Sequence, residues 1–248
     1  MAARTMADRV LRLAMWSGPR NISTAMMRAW GSRSDTVVWD EPLYAHYLAE
    51  TGLDHPGAHD VIEAGLVAWP EVRTRLLGPL PDGKSIFFQK HMTHHLIDSV
   101  DRDWLDAVVS CFLIRDPRRV LASYLKTRPH AELADIGVAQ QTELLDELKR
   151  RHRTPVILDS GDILRNPEAM LRGLCDFLDV DFSPDMLNWT PGLQPTDGVW
   201  AKHWYSNVLS SSGFQPYRER NVDIPGEYRQ LVDEAMAHFE RLYEERLH

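Results

Sequence analysis

Three short stretches of this 248-residue chain carry residue types at spacings suited to anion binding and proton transfer. The first is S-G-P-R-N-I-S-T, Ser17 to Thr24, between an apolar run that ends at Met15 and the amphipathic run Thr24–Trp30. Gly18 and Pro19 set a tight turn, and Ser23 or Thr24 can cap the helix that follows. Backbone N–H groups from Asn21 through Ile22 and Ser23 to Thr24 then face outward at the positive end of the helix dipole, a ready seat for phosphate. Arg20 adds a fixed positive charge at the rim. A plain capped strand-to-helix turn has the same signature, so the loop does not decide alone. A Walker A loop would need glycine at position 23 and lysine at position 24, where this chain has Ser23 and Thr24.

The second stretch, R-D-P-R-R-V-L-A-S-Y, sets Arg115 at the end of an apolar run and Ser123 two helical turns further on. Arginine, hydroxyl and helix start together suit a second phosphate. The third is titratable: Asp40-Glu41 after T-V-V-W, and Lys90, His91, His94 and His95 in F-F-Q-K-H-M-T-H-H-L. Glu41 at a strand end can act as a general base, and so can an imidazole near neutral pH. Asp40 or Glu41 could equally cap the helix that begins at Pro42. His91 and His95 stand at i, i+4 and could hold a metal, but no acidic or cysteine partner nearby completes a set.

These residues need a scaffold, and its elements are legible. Five short apolar runs, Leu11–Met15, Val37–Trp39, Ile86–Phe88, Val108–Ile114 and Val156–Leu158, are continuous rather than alternating, as in strands covered on both faces. Helical patterns separate them: Thr24–Trp30, Pro42–Ala49, Asp116–Leu125, Leu133–Arg151, Asn166–Leu178 and Gly226–Leu247. Asp116-Pro117 and Asn166-Pro167 are helix starts, since proline at the first helical position lacks only an N–H that would be unpaired anyway. The alternation implies a P-loop-like, three-layer α/β/α fold with a central, mostly parallel sheet of about five strands. Ligands of such sheets bind at the carboxyl ends of the strands, where all three polar stretches fall.

Composition narrows the function classes. Formal net charge is -8, from Lys+Arg 28 and Asp+Glu 36, which argues against nucleic-acid binding but not against a small anion. Hydrophobic residues make up 44%, enough for a sizeable core, and no run approaches a bilayer-spanning length. Cys111 and Cys175, both in apolar or amphipathic runs, read as buried, unpaired thiols of a reducing compartment. The expectation is one cytoplasmic domain over residues 1–248, flexible at 1–9, with no membrane or nucleic-acid partner and compatible with a homodimer.

With these residues in hand, the chain resembles the sulfotransferases that use 3′-phosphoadenosine-5′-phosphosulfate (PAPS), in particular a divergent, mainly bacterial branch of small sulfotransferase-like proteins. In that family a loop P-[RK]-S-G-T-[ST] binds the 5′-phosphosulfate, and R-[DN]-P-x-x-x-x-x-S-Y binds the 3′-phosphate. The segment V-I-L-D-S-G-D-I-L-R-N-P-E-A-M-L-R-G-L-C-D-F-L-D-V-D-F resembles the family's third block. D-G-V-W-A-K-H-W-Y resembles the segment that closes over the nucleotide.

The resemblance implies PAPS as sulfuryl donor, adenosine 3′,5′-bisphosphate as product, a small acceptor carrying a hydroxyl or amine, and no metal. It implies nucleotide contacts from Gly18, Pro19, Arg20, Asn21, Ile22, Ser23, Thr24, Arg115, Ser123, Trp200 and Lys202. Arg20 would stabilise the transferring group and Lys90 would touch the sulfate. Glu41 would be the base, with His91 as its rival, because Met92 occupies the place of the family's catalytic histidine. Aromatic residues Trp16, Trp39, Tyr44, Trp189, Trp204 and Tyr205 are candidate acceptor walls, and Thr51–Gly57 and Pro191–Gly198 are expected to be loops of that pocket. Three departures stand out. Asn21-Ile22 replaces Ser-Gly, Ser160-Gly161 replaces Tyr-Glu, and no basic triplet precedes Gly198. The competing readings are a P-loop kinase or hydrolase, and a nucleotide-binding protein without catalysis.

Overall fold

The computed structural model describes residues 10–126, 128, 130–219 and 222–248. The expectation about residues 1–9 lies outside the described residues. In chain order the elements are β1 (Leu11–Ser17), α1 (Ser23–Gly31), β2 (Thr36–Asp40), α2 (Tyr44–Thr51), α3 (Ala58–Ala64), α4 (Trp69–Leu77), β3 (Ile86–Met92), β4 (Val109–Ile114), α5 (Pro117–Tyr124), α6 (Leu133–Ile136), α7 (Val138–Arg150), β5 (Val156–Asp159), α8 (Ser160–Arg165), α9 (Pro167–Leu178), α10 (Ala201–Trp204), α11 (Ser206–Leu209) and α12 (Arg229–Glu244).

All five apolar runs are strands of one sheet, ordered β2-β3-β1-β4-β5, with every neighbouring pair parallel. Alternate side chains of β1 serve opposite layers. Ala14 and Trp16 pack with α4, α7 and α12 residues such as Val72, Leu145 and Leu242, whereas Leu13 and Met15 pack with α1 and α9 residues such as Met27, Trp30 and Leu174. Burial on both faces is why these strands read as unbroken apolar runs. Cys111 and Cys175 sit in the second of these layers with free thiols, both pushed up by burial, that of Cys175 to about 11.

β3 runs past its apolar stretch. Gln89, Lys90 and His91 continue the strand and are buried: Gln89 Nε2 donates to the Leu76 carbonyl at 3.0 Å, and His91 stacks on Trp16. The single helix expected over Leu133–Arg151 is two, α6 and α7, broken at Gly137 with φ +79. The break lets the chain close on the first loop: a Cβ at Gly18 would lie 2.3 Å from the Ile136 carbonyl oxygen. Helices α3 and α4, absent from the sequence expectation, fill the stretch between Thr51 and β3.

The sheet order puts β1 between β3 and β4, so the loop after β1 opens where the winding direction changes, at the strands' carboxyl ends. A third small core, Tyr44, Ala45, Leu48 and Val61 against Trp200, Ala201 and Tyr205, seats the 200–205 segment on α2 and α3. Among the described residues no helix is long and apolar enough to cross a membrane.

Candidate active site

One cavity of about 690 Å³ lies over the carboxyl ends of the strands, lined among others by residues 18–25, Glu41, Lys90, Arg115, Ser123 and the 204–215 wall. At one end is the turn after β1. Asn21 organises it: its Nδ2 donates to the Leu113 carbonyl at 3.0 Å, and its Oδ1 accepts the Ile22 N–H at 2.8 Å. Ile22 has φ -95, an ordinary value, so this position does not call for glycine; the left-handed residue of the turn is Arg20, at φ +55. Neither Ser23 nor Thr24 caps α1, contrary to expectation, because the helix starts at Ser23 and Ile22 takes the cap position. No side chain caps the first turn of α1, and Ser23, Thr24 and Ala25 line the cavity.

Arg20 Nε donates to Ser123 Oγ at 3.0 Å, and Arg115 Nη1 donates to the Arg20 carbonyl. The two sequence stretches that carry this chemistry are therefore in direct contact across β1 and β4. Burial, with Arg119 and Arg20 close by, pushes the Arg115 guanidinium below its usual range. Clustered cations and uncapped N–H groups at one helix start are the ingredients of an anion site.

The other end is built from β2 and β3. Their register sets Asp40 opposite Lys90, and the chain turns sharply after Asp40, with Glu41 at φ +42. Lys90 Nζ donates to Asp40 Oδ1 at 2.9 Å, to Glu41 Oε1 at 2.5 Å and to the Tyr205 hydroxyl at 2.9 Å. An ammonium has three N–H donors, and all three are used. Lys90 thus anchors Glu41 rather than presenting a free N–H to an anion. Burial outweighs Lys90's attraction and, with the like charge of Asp40, raises Glu41 above the usual carboxylate range. Burial alone would lower Lys90, but Asp40 and Glu41 hold it well above its usual value. Glu41 is a carboxylate with raised proton affinity, facing the cavity, whose second oxygen stands 3.9 Å from His95 Nδ1.

His95 is sandwiched between the rings of Tyr44 and Tyr47, with centroids 4.7 and 4.6 Å away. Burial, with His94 and Lys90 close by, pushes it well below its usual value, and burial with His55 pushes His94 down to about 4, so both are neutral donors or acceptors on the cavity wall. His91 is placed elsewhere. It lies outside the cavity, stacked on Trp16 at 4.4 Å and tilted against Trp104, and burial beside Lys90 pushes it down to about 3. As β3 alternates, Lys90 points toward the carboxylates and His91 into the core, away from the cavity where the rival base was expected.

Two further expected contacts lie outside the cavity lining. Trp200 is buried beneath the wall, donating Nε1 to the Tyr205 hydroxyl at 3.1 Å and packing edge-on against Tyr44; Gly198 leaves room for its ring. Lys202 is exposed and pairs with Asp60 at 2.8 Å outside the cavity. Of the aromatic candidates, Tyr44, Trp189, Trp204 and Tyr205 line the cavity; Trp16 is core, and Trp39 stacks on Phe87 beneath the Arg75 guanidinium. Where the resemblance would put a basic triplet, Asp197 is buried against Arg28 of α1 at 2.6 Å, tying the 192–198 loop to that helix.

Comparison with known proteins gives this geometry a family. Residues 11–242 match the sulfotransferase domain family. The chain belongs to that family. Two solved structures share its fold, over nearly the whole of both chains. The sulfotransferase domain of the Synechococcus PCC 7002 olefin synthase has a TM-score of 0.61 at 17% identity, covering 97% of this chain and 98% of that one. The sulfotransferase of Alicyclobacillus acidocaldarius has a TM-score of 0.56 at 14% identity, covering 99% and 98%. In sequence, the chain is 32% identical over 222 residues to the branched-chain-amino-acid aminotransferase-like protein 1 of Arabidopsis thaliana. That match spans 89% of this chain but 40% of the relative's length.

The sequence did not single out Asp40 and Tyr205 as partners of Lys90. The signals present were the Asp-Glu pair at a strand end and a lysine at another strand end. Their meeting depends on β2 lying next to β3, which no local pattern announces.

Proposed function

We propose that this sulfotransferase-domain protein moves a sulfuryl group from PAPS to the hydroxyl of a small acceptor, with Glu41 as general base. The observation that carries the reading is that one cavity joins an uncapped, arginine-rich helix start to a carboxylate of raised proton affinity. Group transfer from a nucleotide needs both in one enclosure.

The residues fit a nucleotide bearing two phosphate groups. Backbone N–H groups of the Gly18–Thr24 turn and the Arg20 side chain would hold the phosphosulfate, and Arg115 with Ser123 would hold the 3′-phosphate. PAPS supplies the sulfuryl group: the acceptor oxygen bonds to sulfur as the bond from sulfur to the nucleotide phosphate breaks, leaving adenosine 3′,5′-bisphosphate. The chain's own part is positional and electrostatic. Glu41 takes the acceptor's proton on its free oxygen, Oε2, while Lys90 grips Oε1. Arg20, tethered through Ser123, offsets negative charge that gathers between donor and acceptor. Tyr44, Tyr47, His94 and His95 give the acceptor side an aromatic, uncharged wall.

Transfer from radiolabelled sulfate-bearing PAPS to a panel of phenols, alcohols and amines tests the reading. Label should appear in one acceptor class with wild-type protein and fall by about 10²–10⁴-fold with Glu41→Gln. Transfer that survives both Arg20→Ala and Glu41→Gln would show that the reaction runs elsewhere.

A further inference from the structure

Two adjacent carboxylates at the end of β2 share one buried ammonium, and only one of them reaches the cavity. Glu41 lines it; Asp40, 3% exposed, does not. Asp40 is nevertheless the better connected. Its Oδ1 accepts from Lys90, and its Oδ2 accepts from the Tyr205 hydroxyl at 2.6 Å and from the Gly198 N–H at 3.2 Å. Tyr205 in turn accepts from Lys90 and from Trp200 Nε1. One carboxylate thereby ties β2, β3 and both ends of the 198–205 segment together beneath the candidate base.

Burying a second negative charge beside the first is expensive, and a neutral side chain of similar shape would fill the site more cheaply. The arrangement has a chemical consequence instead. We propose that Asp40 is a positioning residue of the reaction: it fixes Lys90 and Tyr205 where they hold the Glu41 carboxylate, and as a second negative charge on the same ammonium it tunes Glu41 as a proton acceptor. This inference rests on Glu41 being the base.

The charged and titratable groups facing Glu41 are few. Asp40 adjoins it on β2, Lys90 faces it from β3, and Tyr205 comes from the 198–205 segment. Tyr44 lies on α2, and His95 follows β3, neutral at working pH. Among them Asp40 raises Glu41 and Lys90 lowers it, burial being the larger raising influence. Replacing Asp40 by asparagine removes the like charge and leaves Lys90 with Glu41 as its one carboxylate partner. Both changes favour ionised Glu41, so its titration midpoint must fall, and a weaker base must react more slowly.

The direct readout is carboxyl ¹³C NMR of the glutamate-labelled 248-residue chain, with the Glu41 signal assigned by its loss in Glu41→Gln. In Asp40→Asn the Glu41 midpoint should move down by about one pH unit. The acid limb of kcat/KM for sulfuryl transfer should move with it while the plateau falls. A folded Asp40→Asn protein whose Glu41 midpoint stays put or rises overturns the proposal, since loss of fit alone would lower the rate without moving the midpoint. Should Asp40→Asn not fold, Tyr205→Phe carries the test. It keeps every charge but deprives Asp40 of a donor, drawing Lys90 from Glu41, so the midpoint should rise; an unchanged midpoint overturns the network. Absence of transfer in wild-type protein whose Glu41 midpoint obeys these shifts sinks the functional reading instead, because the NMR readout needs no turnover.

Discussion

The two ends of the cavity solve opposite problems. Around Glu41, each donor of Lys90 has an acceptor and the Tyr205 hydroxyl is shared three ways, so the ammonium is fully paired by the protein itself. Around the turn after β1, Arg20 and Arg115 lie close together with no carboxylate bridging them among the described residues, and the first turn of α1 has no side-chain cap. One end pairs its cation within the protein; the other, on the proposed function, receives its counter-charge from an anion. Variants should therefore fail differently at the two ends, in stability at the first and in affinity at the second.

The largest effect tests the chemistry that links them. Glu41→Gln keeps shape and most hydrogen bonds but removes the proton acceptor, so kcat should fall by about 10²–10⁴-fold with bisphosphate affinity within about twofold of wild type. A comparable loss of affinity would mean that Glu41 helps to bind the nucleotide and that the two ends are not separable.

Next comes stability. Lys90→Met leaves two buried carboxylates without their ammonium and should lower unfolding free energy by about 3–5 kcal/mol in urea titrations. Arg115→Met relieves crowding among cations and should leave stability near wild type while weakening the bisphosphate at least about tenfold. The reverse pattern would break the comparison.

A smaller effect concerns His91. Its folded value lies near 3, below the ordinary 6.5, so the unfolded chain binds the extra proton first as pH drops. Stability from this group is full above 6.5 and is lost as pH falls from there toward 3. Between pH 7 and 5 the loss should be about 2 kcal/mol, and His91→Leu should flatten that part of the pH dependence. An unchanged slope would mean that His91 is not the buried neutral ring seen between Trp16 and Trp104.

The smallest effect is expected at Lys202. As an exposed partner of Asp60 outside the cavity, Lys202→Ala should leave bisphosphate affinity and kcat within about twofold of wild type. A clear loss of affinity would bring Lys202 back into the nucleotide site when ligand is bound.

Much of the fold was legible because burial on both faces writes strands as apolar runs, and all five runs pair. Proline marked two helix starts, where Asp116 accepts from the Arg118 N–H and Asn166 from the Ala169 N–H, but not the third: the helix expected from Pro42 starts at Tyr44, behind Leu43. The helix break at Gly137 was not legible, since its reason is a close approach to Gly18 from more than a hundred residues away. At the site, Gly18–Thr24, Arg115 and Ser123 were found from local spacing, and the structure gathers them on one cavity. The partners of Lys90 were not legible, because counting its acceptors requires the positions of Asp40 and Tyr205. The burial of His91 was not legible, because the core extends along β3 beyond the apolar run Ile86–Phe88.

The account turns on the anion-ready end, and calorimetric titration with adenosine 3′,5′-bisphosphate, run beside ATP with magnesium, addresses it without an acceptor. One-to-one binding of the bisphosphate at micromolar affinity without magnesium, weakened by Arg115→Met and unchanged by Glu41→Gln, is the result predicted. Micromolar binding of ATP with magnesium and none of the bisphosphate would contradict it.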